Sequence, residues 1–189
     1  MFKRFTAITA IALAAVTFTA LQALAAPAAK KILVVYFSHS GNTRIMATQI
    51  KNASGSDIFE VKPVKAYPTD YRSVVDQAKK EISSNYKPAI QTKAPANLAS
   101  YDVIFVGSPC WWGTVAPPIA TFLTQNNFAG KTIVPFMTHE GSGMGRSEDD
   151  IRKLCPRSKI LEGLPIRGGS VKSSQGEVTA WVKKLGFTK

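Results

Sequence analysis

Apolar runs alternate along the chain with segments in which apolar residues recur at helical spacing. The three strongest runs cover residues 31–37, 102–107 and 131–137, and they are rich in β-branched and aromatic residues without alternation. Such runs are typical of strands that are buried on both faces of a parallel sheet. Weaker runs cover residues 57–61 and 160–161. Pro135 cannot donate to a strand ladder, so we expect it at a bulge or where pairing ends.

The segments between these runs predict helices. The clearest helical spacing lies near the end of the chain, at Val178, Trp181, Val182 and Leu185. Ser174 and Glu177 predict a capping box in front of this helix. Weaker helical spacing recurs around residues 74–82, 119–123 and 151–154. Five strands that alternate with five helices predict an α/β fold, a doubly wound parallel sheet with helices on both faces. Ligands of such sheets bind beyond the carboxyl ends of the strands.

The first strand runs directly into a polar loop with the properties of a phosphate site. The loop consists of Ser38, His39, Ser40, Gly41, Asn42 and Thr43. A glycine frees the neighbouring backbone N–H groups, and the N-terminus of the helix that begins near Thr43 favours an anion. No Lys or Arg precedes Arg44 in this loop, so neutral hydrogen bonds would hold the anion, which suits a phosphate monoester. Alternatively, the polar side chains only cap the helix.

The loop predicted after the second strong run carries two adjacent tryptophans. It covers residues 107–113 and includes Ser108, Pro109, Cys110, Trp111, Trp112 and Gly113. Large rings are costly to expose in a short loop, so they either pack on the body of the protein or stack on a planar ligand. A phosphate site beside an aromatic platform favours a phosphorylated planar heterocycle as the ligand.

The loop predicted after the third strong run is rich in glycine. It contains Thr138, His139, Glu140, Gly141, Ser142 and Gly143. Glycines allow the backbone to approach a ligand closely and to offer N–H donors to its polar edge. Alternatively, this segment is a mobile lid or a plain connection.

Together, these three segments resemble the flavodoxin-like family, close to its exported bacterial branch. The resemblance extends roughly over residues 31–185 and includes residues 67–71 ahead of the second helix. It implies a flavodoxin-like five-stranded parallel sheet in the order 2-1-3-4-5 and FMN as a non-covalent cofactor. The six residues of the first loop then match the FMN phosphate loop, residues 109–112 match the first isoalloxazine loop, and residues 138–143 match the second.

The chain departs from the resemblance in two respects. Flavodoxins commonly stack a second aromatic ring from the later loop on the cofactor, and residues 138–143 contain none, which leaves one face of the ring system open. Flavodoxins are also usually acidic, whereas this chain has 24 Lys and Arg against 12 Asp and Glu. We therefore expect a different class of partner, such as an acidic one.

The first 25 residues have the pattern of a secretory signal peptide. Lys3 and Arg4 precede an apolar stretch, and Ala23 and Ala25 flank a small-x-small cleavage site. We predict cleavage of residues 1–25 without a stable membrane anchor, one domain over residues 26–189, and a periplasmic or secreted location. Cleavage would lower the formal net charge from +12 to +10. Export and the scattered basic residues argue against nucleic acid as a partner.

The remaining residues with reactive side chains predict neither a disulfide nor a metal site. Cys110 and Cys155 fall towards opposite ends of the predicted sheet, so we expect two separate thiols. His39 and His139 both lie in predicted ligand loops, where they either hydrogen-bond the loop or tune the cofactor. No arrangement of side chains stands out as catalytic.

Three functions fit these observations. The first is an FMN-dependent electron carrier or oxidoreductase outside the cytoplasm, which serves a redox partner protein or a small electron acceptor. The second is an exported NAD(P)H-dependent reductase of quinones, and the third is a flavin-binding module without turnover. A carrier is favoured because nicotinamide nucleotides are not maintained outside the cytoplasm and no dinucleotide motif is visible.

Overall fold

The computed structural model describes residues 30–189 of the chain, so the signal peptide predicted for residues 1–25 lies outside the described residues. The strands are β1 (Ile32–Tyr36), β2 (Asp57–Glu60), β3 (Val103–Trp111), β4 (Thr114–Val115), β5 (Thr132–His139), β6 (Lys159–Ile160) and β7 (Leu164–Arg167). The helices are α1 (Asn42–Ser54), α2 (Tyr71–Ser83), α3 (Pro117–Gln125), α4 (Ser147–Leu154) and α5 (Gln175–Lys184). Within residues 30–189, no helix combines the length and apolar character that crossing a bilayer requires.

The sheet confirms the predicted parallel order, with one strand divided in two. Its order is β2-β1-β3-β5, and both β6 and β7 then pair in parallel with β5. The two short strands together occupy the fifth position in the sheet, and residues 161–163 separate β6 from β7. The sequence pattern predicts only the first half of this strand, because β7 is short and contains Pro165.

Pro135 lies where the fifth strand is interrupted, as predicted. The N–H of Leu161 donates to the carbonyl of Ile133 at 3.0 Å, so Ile133 faces the fifth strand. The backbone N–H and C=O groups of residues two apart in a strand point to the same neighbouring strand. The backbone of Pro135 therefore faces the gap between β6 and β7. Because no strand pairs with β5 at this gap, the missing N–H of Pro135 does not leave a carbonyl of a neighbouring strand without its donor. A Cβ added at Gly163 would approach the Pro135 carbonyl oxygen to 2.7 Å, which explains a glycine at this crossing.

The prediction of a loop over residues 107–113 is wrong. Strand β3 continues to Trp111 and forms a hairpin with β4, in which Cys110 is opposite Val115. Pro109 is tolerated because β1 has ended: the carbonyl of Gly107 accepts the last bond from that side, from the N–H of Phe37 at 3.1 Å. Strand β5 is also longer than predicted and includes Thr138 and His139. Both strands therefore carry their ligand-edge residues on a rigid sheet.

Apolar clusters cover both faces of the sheet, as the non-alternating runs predict. Leu33 and Val35 belong to the cluster under α2, α3 and α4, whereas Val34 and Tyr36 belong to the cluster under α1 and α5. The predicted capping box of α5 is wrong. The buried hydroxyl of Ser174 contacts the Val171 carbonyl and the Gln49 side chain instead, and it does not cap the helix.

Candidate functional site

A cleft of about 530 Å³ opens at the carboxyl ends of the central strands. Its volume lies within the range of about 300–1,000 Å³ that is typical of small-molecule sites. The predicted site residues on its wall are His39, Ser40, Asn42, Pro109, Cys110, Trp111, Trp112, Gly113, Thr138, His139, Glu140 and Ser142. The remaining wall residues are not among the predicted site residues; they are Tyr71, Val74, Val75, Ala78 and Gly168. The fold thus brings the three predicted segments together around one space.

The start of α1 presents unpaired backbone donors to this edge of the sheet. Gly41 precedes the helix with φ +96°, and no side chain caps the helix from that position. The N–H groups of Asn42 and Thr43 have no acceptor among the described residues, whereas that of Arg44 donates to the Ser38 hydroxyl at 3.2 Å. Ser38 therefore caps the N-terminus of α1, and the N–H groups of Asn42 and Thr43 remain free to bind an anion.

Fixed side-chain contacts surround these donors. The Arg44 guanidinium pairs with Glu60 at 2.6 Å, so this cation is already compensated. The buried hydroxyls of Thr43 and Thr138 lie 2.8 Å apart and tie the start of α1 to the end of β5. An anion here would meet neutral donors, in agreement with the sequence-based expectation for this loop.

Three rings fix the position of Trp111 at the end of β3. Its ring centroid lies 5.0 Å from that of Tyr67, 5.6 Å from that of Phe37 and 5.9 Å from that of His39, each in an edge-to-face arrangement. The indole remains partly exposed and lines the cleft. It is therefore packed on the body of the protein and also available to a ligand, so the two alternatives for this ring coexist.

A buried polar contact supports the back of this aromatic cluster. The Tyr67 hydroxyl donates to Glu81 at 2.5 Å, and the same carboxylate accepts a bond from Gln77 at 2.8 Å. Burial, followed by the hydrogen bond to Glu81, raises the pKa of the Tyr67 phenol. Tyr67 thus stays protonated, and its ring stays fixed against Trp111.

Trp112 occupies the hairpin turn and is held against helix α2. Its backbone has φ +50°, which is rare outside glycine. The indole N–H donates to the Val75 carbonyl in α2 at 3.0 Å. Tyr71 lies one turn earlier on the same face of α2 and also lines the cleft. Helix α2 therefore supplies an aromatic ring that the third loop lacks.

The histidines and the third segment complete the wall. The Nε2–H of His39 donates to the Pro68 carbonyl at 2.7 Å, and Nδ1 of His139 accepts the N–H of Gly141 at 3.0 Å. Each histidine thus holds one bond to a loop and still lines the cleft. A Cβ at Gly168 would lie within 2.6 Å of both the Glu140 and Asn42 side chains. A larger residue here would have to push these two side chains aside.

Six predicted site residues do not line the cleft. They are Ser38, Gly41, Thr43, Ser108, Gly141 and Gly143. Ser108 is fully buried, and its hydroxyl accepts the N–H of Ala116 at 2.8 Å, so it holds the hairpin of β3 and β4. Gly41 and Thr43 act through the backbone of the α1 N-terminus.

The two cysteines are free thiols, as predicted, and they differ in access. Cys110 is partly exposed in the cleft, whereas Cys155 is 5% exposed, and burial raises its pKa to about 11. We expect a maleimide to label one thiol in the folded protein, Cys110, and the second only after unfolding. FMN, the ligand that the sequence motifs predict, should slow only the first reaction. Labelling of Cys155 in the folded protein, or no protection by FMN, would contradict this placement.

Comparisons with known proteins agree on one family. The model of the family described as Flavodoxin matches residues 31–185. The chain is 31% identical over 149 residues to an NAD(P)H dehydrogenase (quinone) of Rhizobium johnstonii, with 71% of each chain covered. It is 27% identical over 163 residues to a protein of the same name from Cupriavidus metallidurans, covering 79% of this chain and 75% of the relative.

Solved structures show the same likeness. A candidate flavoprotein from Bacteroides eggerthii matches with a TM-score of 0.73 at 30% identity, which covers 83% of this chain and 98% of that chain. A flavoprotein in complex with FMN from Lactobacillus acidophilus matches with a TM-score of 0.63 at 27% identity, which covers 78% of this chain and 99% of that chain.

Proposed function

The chain belongs to the flavodoxin family, and we propose that it is an FMN-dependent electron-transfer protein that works outside the cytoplasm. Its cofactor is FMN, in agreement with the family and with the FMN complex of a structural relative. The observation that carries the proposal is a single cleft that joins an uncapped helix N-terminus to a pair of indoles.

The residues present fit FMN. Two free backbone N–H groups and the open space at Gly41, where a Cβ would meet nothing within 4 Å, suit a phosphate monoester. Trp111 would stack on one face of the planar rings with Trp112 beside their edge, and the segment that follows β5 would meet the polar edge of the rings. Bound FMN accepts and releases electrons, and the protein supplies orientation, electrostatics and access.

Export supports a carrier that serves another redox protein or a small acceptor. Residues 1–25 have the pattern of a cleaved signal peptide, and we propose a periplasmic or secreted location on this ground. Fractionation of cells that express the full chain should then recover a protein shortened by about 25 residues outside the cytoplasm. Recovery of the uncut chain in the cytoplasm would contradict the location and leave the FMN site unaffected.

A second candidate is an NAD(P)H-dependent quinone reductase. The observation that favours it is the name shared by two curated relatives, which are 31% and 27% identical to this chain. In this case the open face of the cofactor would admit a nicotinamide and a quinone in turn.

Stopped-flow mixing of the FMN-loaded protein with NADPH separates the candidates. A carrier should be reduced slowly by NADPH yet should exchange electrons rapidly with a one-electron protein donor. Rapid reduction by NADPH followed by turnover with a quinone would replace the carrier with a reductase. A protein that binds FMN and exchanges electrons with neither would be a flavin-binding module.

A further inference from the structure

Two large aromatic side chains remain exposed at the mouth of the cleft. The Tyr71 residue is 76% exposed and Trp112 is 47% exposed, and both line the opening. Exposed rings of this size are typical of surfaces that another molecule covers, and Tyr and Trp are enriched among the residues that dominate protein–protein binding.

The fold holds Trp112 in this exposed position against a conformational cost. A positive φ in a residue with a large side chain strains the backbone, and residues with such strain cluster at functional sites. The bond from its indole to the Val75 carbonyl anchors the ring to α2. Tyr71 and Val75 are one helical turn apart on α2, and Tyr71 and Trp112 both border the opening, where they form its aromatic rim.

This rim is positively charged. The ammonium group of Lys79 lies 4.9 Å from the Trp112 ring centroid, and none of the described carboxylates comes within 4.0 Å of it. Arg146 donates to the Trp112 carbonyl at 3.4 Å and pairs with Asp150 at 2.9 Å. A cation next to an exposed aromatic ring favours contact with a carboxylate of a partner.

Two acidic side chains at the opening, Glu140 and Asp150, already have basic partners. Glu140 lies 4.0 Å from Arg167, and Asp150 also contacts Lys153 at 3.3 Å. Partial burial raises the pKa of Asp150, but hydrogen bonds from Thr114, Lys153 and Arg146 together outweigh it and hold this pKa below its usual value. On the α2 side, Asp70 and Asp76 have no cation within 4.0 Å among the described residues, but Arg72, Lys79 and Lys80 are exposed on the same helix. Exposed bases therefore outnumber exposed acids on this side of the rim, and the net charge of the chain is positive as well.

We propose that Tyr71, Lys79, Trp112 and Arg146, together the mouth surface, dock an acidic redox protein over the cleft. The inference rests on the proposed function, because it names the partner of that same cleft. Aromatic and arginine side chains at an interface supply binding energy, and the surrounding positive field speeds the encounter with a negative partner. A small anionic acceptor is the competing occupant.

Quenching of Trp112 fluorescence tests the charge of the mouth surface without cofactor or turnover. Iodide and caesium are compared on the cofactor-free protein, each normalised to free N-acetyltryptophanamide, and Trp112→Phe supplies the background from the other two tryptophans. We expect iodide to quench Trp112 at least about twofold more efficiently than caesium at low salt, and the difference to shrink at about 0.3 M salt. Equal normalised quenching would overturn the proposal.

Docking is tested with two forms of one probe protein. Native cytochrome c is basic and fully succinylated cytochrome c is acidic, and the two carry the same haem. We expect the succinylated form to bind the immobilised protein at least about tenfold tighter in about 10 mM salt. The double variant Lys79→Gln/Arg146→Gln should lose most of this preference, and Tyr71→Ser should weaken binding further.

A matched control separates a docking site from general attraction. Lys183→Gln/Lys184→Gln removes the same charge from exposed positions of α5, on the other face of the sheet. Equal losses from both double variants would overturn a defined mouth surface, and so would binding of a small quinone sulfonate without binding of succinylated cytochrome c. FMN titration of the wild type runs in parallel: absence of FMN binding refutes the proposed function, whereas normal FMN binding without a preference for the acidic probe refutes only this inference.

Discussion

Replacing Gly41 with valine should lower the affinity for FMN by about a hundredfold or more. Gly41 adopts φ +96° directly before α1, and a β-branched residue cannot hold this conformation without strain. Space is not the reason, because a Cβ at this position would meet nothing within 4 Å. The loop must instead turn away, and the N–H groups of Asn42 and Thr43 then lose their alignment. Titration that follows flavin fluorescence measures the change.

Gly130→Val is the matched control for this substitution. Gly130 has φ +76° and open space around its Cβ position, and it lies ahead of β5, at the edge of the sheet opposite the cleft. Gly130→Val and Gly41→Val should each lower the free energy of unfolding by about 1–3 kcal/mol. Gly130→Val should leave the FMN affinity unchanged. If Gly41→Val still binds FMN as tightly as the wild type, the phosphate does not sit at the start of α1.

Replacing Trp111 with alanine should weaken FMN binding by roughly ten- to a hundredfold. Stacking of a nucleic-acid base on an aromatic side chain is worth about 1–3 kcal/mol, and each 1.4 kcal/mol is a factor of ten. Trp111 holds the place after Pro109 and Cys110 where we expect the stacking ring, and three neighbouring rings fix its orientation. The same contacts mean that alanine also lowers stability, so thermal unfolding must be measured beside affinity.

Trp111→Phe and Trp112→Ala separate stacking from packing. Phenylalanine keeps a ring towards Tyr67 and Phe37 and should restore most of the affinity. Trp112 is anchored to α2 by its N–H, so its loss should affect FMN less than the loss of Trp111. Equal losses from the two alanine variants would reverse the assignment of the stacking ring, and no loss from either would remove both indoles from the cofactor site.

Much of the fold and the place of the site follow from local sequence patterns. Residues 31–37 predict a strand that is buried on both faces, and the structure places Leu33 and Val34 in opposite apolar clusters. The polar loop with Gly41 predicts a helix N-terminus at the ligand edge, and α1 begins at Asn42. These features depend on residues close in the chain, so a short window is sufficient to predict them.

The errors arise where distant pairing decides the structure. Pro109 and Gly113 indicate a loop, yet β3 continues because β5 and β4 pair with it and β1 has already ended. Strand β7 is too short to recognise, and pairing with β5 stabilises it. Tyr71 begins a helix distant in sequence from the three predicted loops, and its place in the cleft depends on how α2 packs on the sheet. The sequence signal that indicated a role for Tyr71 was an aromatic residue directly after the N-cap residue of α2, Asp70.

The most direct test of the FMN site is a paired titration of the cofactor-free protein with FMN and with riboflavin. The two ligands share the ring system and differ in the phosphate, so their ratio of affinities reports the contribution of the α1 N-terminus. Hydrogen bonds to a charged group contribute about 1.5–3 kcal/mol each, and two free N–H groups therefore predict one FMN bound per chain, at least about a hundredfold tighter than riboflavin. Equal affinity for the two ligands, or no binding of FMN, would contradict the account.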